Sequence, residues 1–198
     1  DPRLLKRNEF IGGLYNEFIE QRTPLQLMKT LMANYILEGI YFYSGFMFFY
    51  NLGRMGLMPG SVQEIRYINR DENTHLWLFR SIILELRKEE PQLFVPEYEQ
   101  LYRDMLKQGV EEEIEWGCSI LGDEIPGLNK TMIRDYIHYL GNLRAKAIGL
   151  DLIYPGEEEE PSSMKWVSQY ANANLIKTDF FEARSSAYAK ASALKDDL

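Results

Sequence analysis

The sequence has 198 residues, of which 45% are hydrophobic and 26% are charged. This composition is that of a folded protein long enough to bury one sizeable core, which excludes a chain that is disordered throughout. Because the 22 basic residues are scattered and outnumbered by 30 acidic ones, for a net charge of -8, we expect no DNA or RNA partner.

Cysteine content and hydropathy limit the compartment and the ligand chemistry. The single cysteine, Cys118, cannot form an internal disulfide, so we expect a reducing cytoplasm and a metal, if any, held by oxygen and nitrogen ligands. The apolar run from Tyr35 to Tyr50 contains Glu38 and is shorter than the roughly 20 residues that cross a bilayer. We therefore expect a buried core helix and no membrane association.

Proline after a capping residue marks two helix starts. Asp1-Pro2 predicts a first helix that ends near Glu20, and Thr23-Pro24 predicts a second. No helix breaker follows until Gly53, so we expect the second element to be one continuous helix that carries Glu38.

Two further helices follow. The capping box from Ser61 to Glu64 predicts a helix that begins near Ser61 and ends near Lys88. A fourth helix spans about residues 96–120 and alternates apolar with acidic positions, the pattern of an amphipathic helix. The apolar positions are Leu101, Met105, Ile114 and Cys118, and the acidic ones are Glu111, Glu112, Glu113 and Glu115.

The remaining sequence completes the domain organisation. Asn129 can cap a fifth helix that stops at Gly149, and five helices without a convincing strand predict an all-α bundle over residues 1–150. Residues 151–179 include four consecutive glutamates and are expected to form a solvated linker and a peripheral segment. Residues 180–198 are expected to form a C-terminal tail that is flexible or becomes helical on a partner.

Three side chains indicate a metal site. Glu72 and His75 lie three residues apart and project from one face of a helix, while Glu38 is the only charge in its apolar run and needs a cation or a proton there. Helical bundles can hold two metal ions with one Glu from each of two helices and a Glu-x-x-His from each of two others. This chain supplies half of such a set, whose ligand types suit iron or manganese.

Several alternatives stay open. Glu38 could pair with Arg66, with Arg70 or with a backbone donor, and isolated Glu-x-x-His patterns occur by chance on surface helices. His138 is expected to be a satisfied core or interface histidine. The residues also allow two other functions, a two-metal oxidase or oxygenase and a metal-free helical scaffold.

The sequence resembles, over essentially its whole length, the radical-generating small subunit of class I ribonucleotide reductase. Two motifs carry the resemblance. They are Glu-x-Ile-x-Phe-Tyr-x-x-Phe, matched by Glu38, Ile40, Phe42, Tyr43 and Phe46, and Arg-Asp-Glu-x-x-His, matched by Arg70, Asp71, Glu72 and His75.

The resemblance implies a ferritin-like bundle that binds two iron ions, a manganese/iron pair or two manganese ions. Such a subunit reacts with dioxygen and forms a radical, usually on a tyrosine, which passes to a large catalytic subunit that reduces ribonucleotides. The implied ligands are Glu38, Glu72 and His75, and the implied apolar pocket is Phe42, Phe46 and Ile68. Asp71 would bond a ligand histidine on another helix, and Tyr188, with Glu182, would relay the radical.

The family's first ligand helices have no counterpart in this sequence. The resemblance therefore implies that another polypeptide segment, the N-terminal half of the small subunit, completes the bundle. It also implies a homodimer of small subunits. We expect the chain alone to be unable to hold a complete two-metal site.

Overall fold

The computed structural model describes residues 1–171, which contain helices and connecting segments but no strand. The all-α fold expected from the sequence is confirmed. The helices are α1 (Pro2–Gln21), α2 (Pro24–Gly39), α3 (Tyr43–Arg54), α4 (Pro59–Glu89), α5 (Pro96–Ile120), α6 (Lys130–Ala147) and α7 (Lys165–Ala171), with 3-10 turns at Pro91–Phe94 and Ser162–Met164.

The first two helices start where the sequence predicts. The Asp1 carboxylate accepts a hydrogen bond from the Arg3 backbone N–H at 2.9 Å, and the Thr23 hydroxyl accepts one from the Gln26 backbone N–H at 3.2 Å. Each helix then has proline in its first turn. These contacts satisfy backbone donors that a helix start leaves free.

The prediction of one continuous helix from Pro24 to Gly53 is wrong. The helix stops at Gly39 and resumes at Tyr43, with Ile40 at φ -132° and ψ -53° between the two parts. The Tyr41 N–H reaches back to Ile36 O at 3.3 Å, five residues earlier, which is not the pattern of an α-helix. We call residues 40–42 the α2–α3 break.

The predicted capping box at Ser61 is also wrong. Helix α4 begins two residues earlier, at Pro59, and its N-cap is Met58, which has a left-handed φ of 48° and makes no side-chain cap. Proline fixes a helical φ at the first position, so Ser61 already lies in the first turn of α4 and Glu64 in the second.

Helices α5 and α6 have their predicted bounds, and the Asn129 side chain accepts from the Met132 N–H at 2.9 Å. The acidic positions of α5 do not behave alike, however. Glu112 and Glu113 are buried, whereas Glu111 and Glu115 are exposed. Glu113 lies on the same face as Leu106 and Val110, which explains why it turns inward.

The core is formed where α2 packs between α1, α4 and α5, and where α5 packs on α6. The large, fully buried side chains include residues of α2, α4, α5 and α6, with Tyr50 and Met47 added by α3. Within residues 1–171, none of the helices combines the length and the apolar character needed to span a membrane.

The acidic segment after α6 is more ordered than a solvated linker. The buried Asn142 amide oxygen accepts from the backbone N–H groups of Ile153 and Tyr154, both at 2.9 Å. Its amide nitrogen donates to the carbonyls of Tyr154 at 2.7 Å and Glu157 at 3.0 Å. We call residues 151–161 the strap, since one side chain ties its backbone to α6.

The strap also holds His138. The His138 ring lies 3.9 Å from the Tyr154 ring and nearly parallel to it, and His138 Nδ1 lies 2.9 Å from a Glu157 carboxylate oxygen. His138 is therefore a satisfied histidine, as the sequence predicts.

Candidate metal centre

The candidate centre forms where the C-terminal end of α2 meets the middle of α4. Gly39 makes this approach close, because a Cβ at that position would lie 2.9 Å from Leu76 Cδ2 on α4. Glu38 therefore lies beside α4, where Glu72 and His75 occupy consecutive turns of one face.

Glu38, Glu72 and His75 converge as the sequence predicts. One ligand atom from each of the three lies within 4.8 Å of the others. His75 Nδ1 is 2.9 Å from Glu72 Oε2 and 3.6 Å from Glu38 Oε2. The carboxylate side chains are 18% and 13% exposed and the imidazole 51% exposed, so the group lies at the edge of the core with one side open.

The electrostatics of the group favour a bound positive charge. Burial, together with the neighbouring Glu72 carboxylate, raises the pKa of Glu38 to about 7. The hydrogen bond to Glu72 raises the pKa of His75 above its ordinary value. Both groups hold a proton more tightly than in water, and a divalent cation could replace those protons.

The alternative partners proposed for Glu38 are engaged elsewhere. Arg66 Nε donates to the Tyr170 carbonyl at 3.1 Å, and Arg70 lies 3.4 Å from the Asp71 carboxylate. Among residues 1–171, an ion pair with arginine is therefore not what makes the Glu38 carboxylate tolerable in its apolar surroundings.

The three residues of the expected apolar pocket lie along one groove beside Glu72. The groove has a volume of about 390 Å³, and Phe42, Phe46 and Ile68 all line it. Phe46 is buried, whereas Phe42 and Ile68 are 36% and 44% exposed. We call Phe42, Phe46 and Ile68 the apolar wall, which borders the groove next to Glu72 and is open to solvent.

Asp71, another expected site residue, is not part of this cluster. Asp71 points away on the exposed side of α4, with its carboxylate 64% exposed beside Arg70. Tyr188 and Glu182 lie outside the described residues.

Sequence reasoning missed a second polar cluster close to the centre. Arg7 and Glu113 form an ion pair of 2.7 Å next to the α2–α3 break, and the Tyr41 hydroxyl donates to Glu112 at 2.6 Å. The available signal was the position of Glu113 on the buried face of α5, three residues after Val110 and four before Gly117.

Helical bundles with carboxylate–histidine metal centres place their ligands on facing helices, and this bundle brings two carboxylates and an imidazole together from two helices. The sequence profile of the family described as "Ribonucleotide reductase, small chain" matches residues 1–161. The chain belongs to this family, and the resemblance carried by its two motifs is confirmed.

Individual relatives agree with the family. The chain is 67% identical to the ribonucleoside-diphosphate reductase subunit beta of Treponema pallidum over 198 residues, which are 100% of this chain and 56% of that protein. It is 41% identical to the subunit of the same name from Halalkalibacterium halodurans, over 98% of this chain and 55% of that protein.

A solved structure agrees as well. The ribonucleotide reductase R2 subunit from Clostridium botulinum superposes with a TM-score of 0.82 at 47% identity, covering 86% of this chain and 53% of that one. The chain thus spans about half the length of the curated relatives it matches.

Proposed function

We propose that this chain is part of the small subunit of a class I ribonucleotide reductase and supplies half of the ligands of its two-metal centre. The observation that carries the proposal is the convergence of Glu38, Glu72 and His75 from two helices. The family membership of residues 1–161 supports the same function. In this function the centre activates dioxygen, and the resulting radical passes to a large catalytic subunit that reduces ribonucleotides.

The residues present fit a pair of metal ions. Two carboxylates and one imidazole are the donor set that suits iron or manganese, and the raised pKa of Glu38 indicates a site that gains from a cation. When bound, such a metal pair supplies the redox chemistry that reacts with dioxygen. Glu72 orients the His75 ring through the 2.9 Å contact, and both carboxylates balance positive charge.

The apolar wall has a separate task. Phe42, Phe46 and Ile68 offer few polar atoms beside Glu72, so they would keep water and reducing side chains away from a reactive oxidant. The half-exposed His75 and the open groove would be covered by polypeptide that carries the remaining ligands. We assign that polypeptide to the N-terminal half of the small subunit.

The other assignments follow from the family resemblance. Asp71 would bond a ligand histidine of the N-terminal half, which is consistent with its exposed position on α4. Tyr188 and Glu182 would take part in the radical relay to the large subunit. A second copy of the small subunit would complete a homodimer, and the assembly would work in the cytoplasm.

Metal analysis of the full-length protein tests the centre. After loading with Fe(II) or Mn(II), we expect Glu72→Ala to lose most of the bound metal, because it removes a ligand and the residue that orients His75. Glu64→Gln is the matched control, since Glu64 is an exposed acid on the same helix, and should bind metal like the unaltered protein. Equal metal content in Glu72→Ala and the control would contradict the proposal.

A truncation separates the reductase from a two-metal oxidase. Removing residues 180–198 should abolish nucleotide reduction with the large subunit while leaving the metal content unchanged. Undiminished reduction by the truncated protein would show that the tail has no role in radical transfer.

A further inference from the structure

The α2–α3 break is held by side chains that come from two other helices. Arg7 of α1 donates through Nη2 to the Tyr41 carbonyl at 2.8 Å. Glu113 of α5 accepts from the Ser44 backbone N–H at 2.8 Å. An intact helix would have satisfied both backbone groups internally, so these two side chains replace hydrogen bonds that the break removes.

The two side chains also bind each other deep in the protein. Arg7 Nη2 lies 2.7 Å from Glu113 Oε2, and the side chains are 7% and 0% exposed. The Arg7 guanidinium further lies 3.9 Å from the centre of the Tyr41 ring. One compact unit thus joins α1, the break and α5.

A buried ion pair such as this one is weak evidence for a net gain in stability. The attraction within a buried ion pair is largely offset by the loss of hydration of both charges, and apolar residues of similar volume often serve a core equally well. The pair favours the backbone conformation of the break, because in this conformation Arg7 reaches Tyr41 O while Glu113 reaches Ser44 N–H.

The break lies next to the candidate metal centre. Glu38 lies at the end of α2 just before the break, and Phe42 and Phe46 lie within and just after it. The angle between α2 and α3 therefore sets where the Glu38 carboxylate stands relative to the apolar wall of Phe42 and Phe46.

We propose that Arg7 and Glu113 are positioning residues of the metal centre, which fix the α2–α3 break and through it the placement of Glu38. This inference rests on the proposed function of Glu38 as a metal ligand. Neither residue touches the centre itself, and they act through the backbone of Tyr41 and Ser44.

The test is a titration of the full-length protein with Mn(II), in which free Mn(II) is followed by electron paramagnetic resonance. Glu113→Ala removes the acceptor for Ser44 N–H and should weaken Mn(II) binding about tenfold, the scale on which indirect supports of metal ligands act. Glu113→Gln keeps an acceptor oxygen and should restore most of the affinity. Hydrogen exchange at the Ser44 amide should be faster in Glu113→Ala than in Glu113→Gln.

The control is Asn142→Ala, which disturbs buried hydrogen bonds in the strap rather than at the break. It should lower the melting temperature and leave Mn(II) affinity unchanged. Equal loss of affinity in Glu113→Ala and Asn142→Ala would overturn the proposal, because general destabilisation would explain both. Unchanged affinity in Glu113→Ala would overturn it as well.

A second variant and the Glu72 dependence of Mn(II) binding complete the test. If Glu113→Ala does not fold, Arg7→Met, which keeps an unbranched stem but loses the bond to Tyr41 O, carries the same expectation. If the unaltered protein binds no Mn(II) in a Glu72-dependent manner, the proposed function fails and the positioning role falls with it. Failure of the positioning role alone leaves that Glu72-dependent binding intact.

Discussion

The tight contact between α2 and α5 allows a quantitative test of the packing that supports the centre. Gly109 of α5 is buried, and a Cβ there would lie 2.4 Å from Ile36 Cγ2. Ile36 is itself fully buried, and a β-branched side chain in a helix has little rotamer freedom with which to move aside. Gly109→Ala should therefore push α2 away from α5.

The size of the effect follows from two opposing contributions. Replacing glycine by alanine inside a helix stabilises it by about 1 kcal/mol, while overpacking a core costs about 1 to 3 kcal/mol. Because 2.4 Å is far inside the contact distance of two carbon atoms, the upper part of that range applies. We expect Gly109→Ala to lower the free energy of unfolding by about 1 to 2 kcal/mol.

Urea denaturation of the purified protein measures this change, and Gly13→Ala is the matched control. Gly13 is an exposed residue within α1 that has nothing within 4 Å of its would-be Cβ, so its replacement should stabilise the protein by about 1 kcal/mol. The double variant Gly109→Ala with Ile36→Ala should lose less than the sum of the single changes. If Gly109→Ala were as stabilising as Gly13→Ala, the argument from close packing would be refuted.

Two other predictions concern pH and the strap. Since the pKa of Glu38 rises from 4.5 to about 7 on folding, its protonated form stabilises the metal-free protein fully below pH 4.5, and this stabilisation is lost as the pH rises through 7. The raised pKa of His75 acts in the same direction, so denaturation should show stability falling from pH 5 to pH 8, with a smaller slope in Glu38→Gln. An equal slope in both proteins would contradict this assignment. Asn142→Ala leaves four backbone groups of the strap without their partner and should lower the free energy of unfolding by about 2 to 4 kcal/mol. Asn142→Asp keeps only the acceptor contacts and should have an intermediate effect. An unchanged melting temperature in Asn142→Ala would contradict this prediction.

The ligand group was predictable from the sequence because its geometry is local. Spacing alone puts Glu72 and His75 on one helix face, and a lone carboxylate in an apolar run requires a charge nearby. The proline-marked starts of α1, α2 and α5 were equally accessible.

The α2–α3 break was not predictable in the same way. The side chains that hold the break are distant from it in sequence. Arg7, which contacts Tyr41, lies 34 positions before it, and Glu113, which contacts Ser44, lies 69 positions after it. The run between Pro24 and Gly53 contains Gly39 and Gly45, but an isolated glycine is tolerated inside a helical pattern, so periodicity favours continuity. Tertiary hydrogen bonds decided the local conformation against that preference.

The anchored strap changes what a force or a partner acting on the C-terminal end would encounter. Beyond the strap, the Tyr170 ring stacks on Tyr50 of α3 at 5.6 Å, and its carbonyl is held by Arg66 of α4. A force applied at Ala171 is therefore not absorbed by a flexible acidic segment. It would act directly on α3 and α4, the two helices that carry Phe46 of the apolar wall and the His75 imidazole.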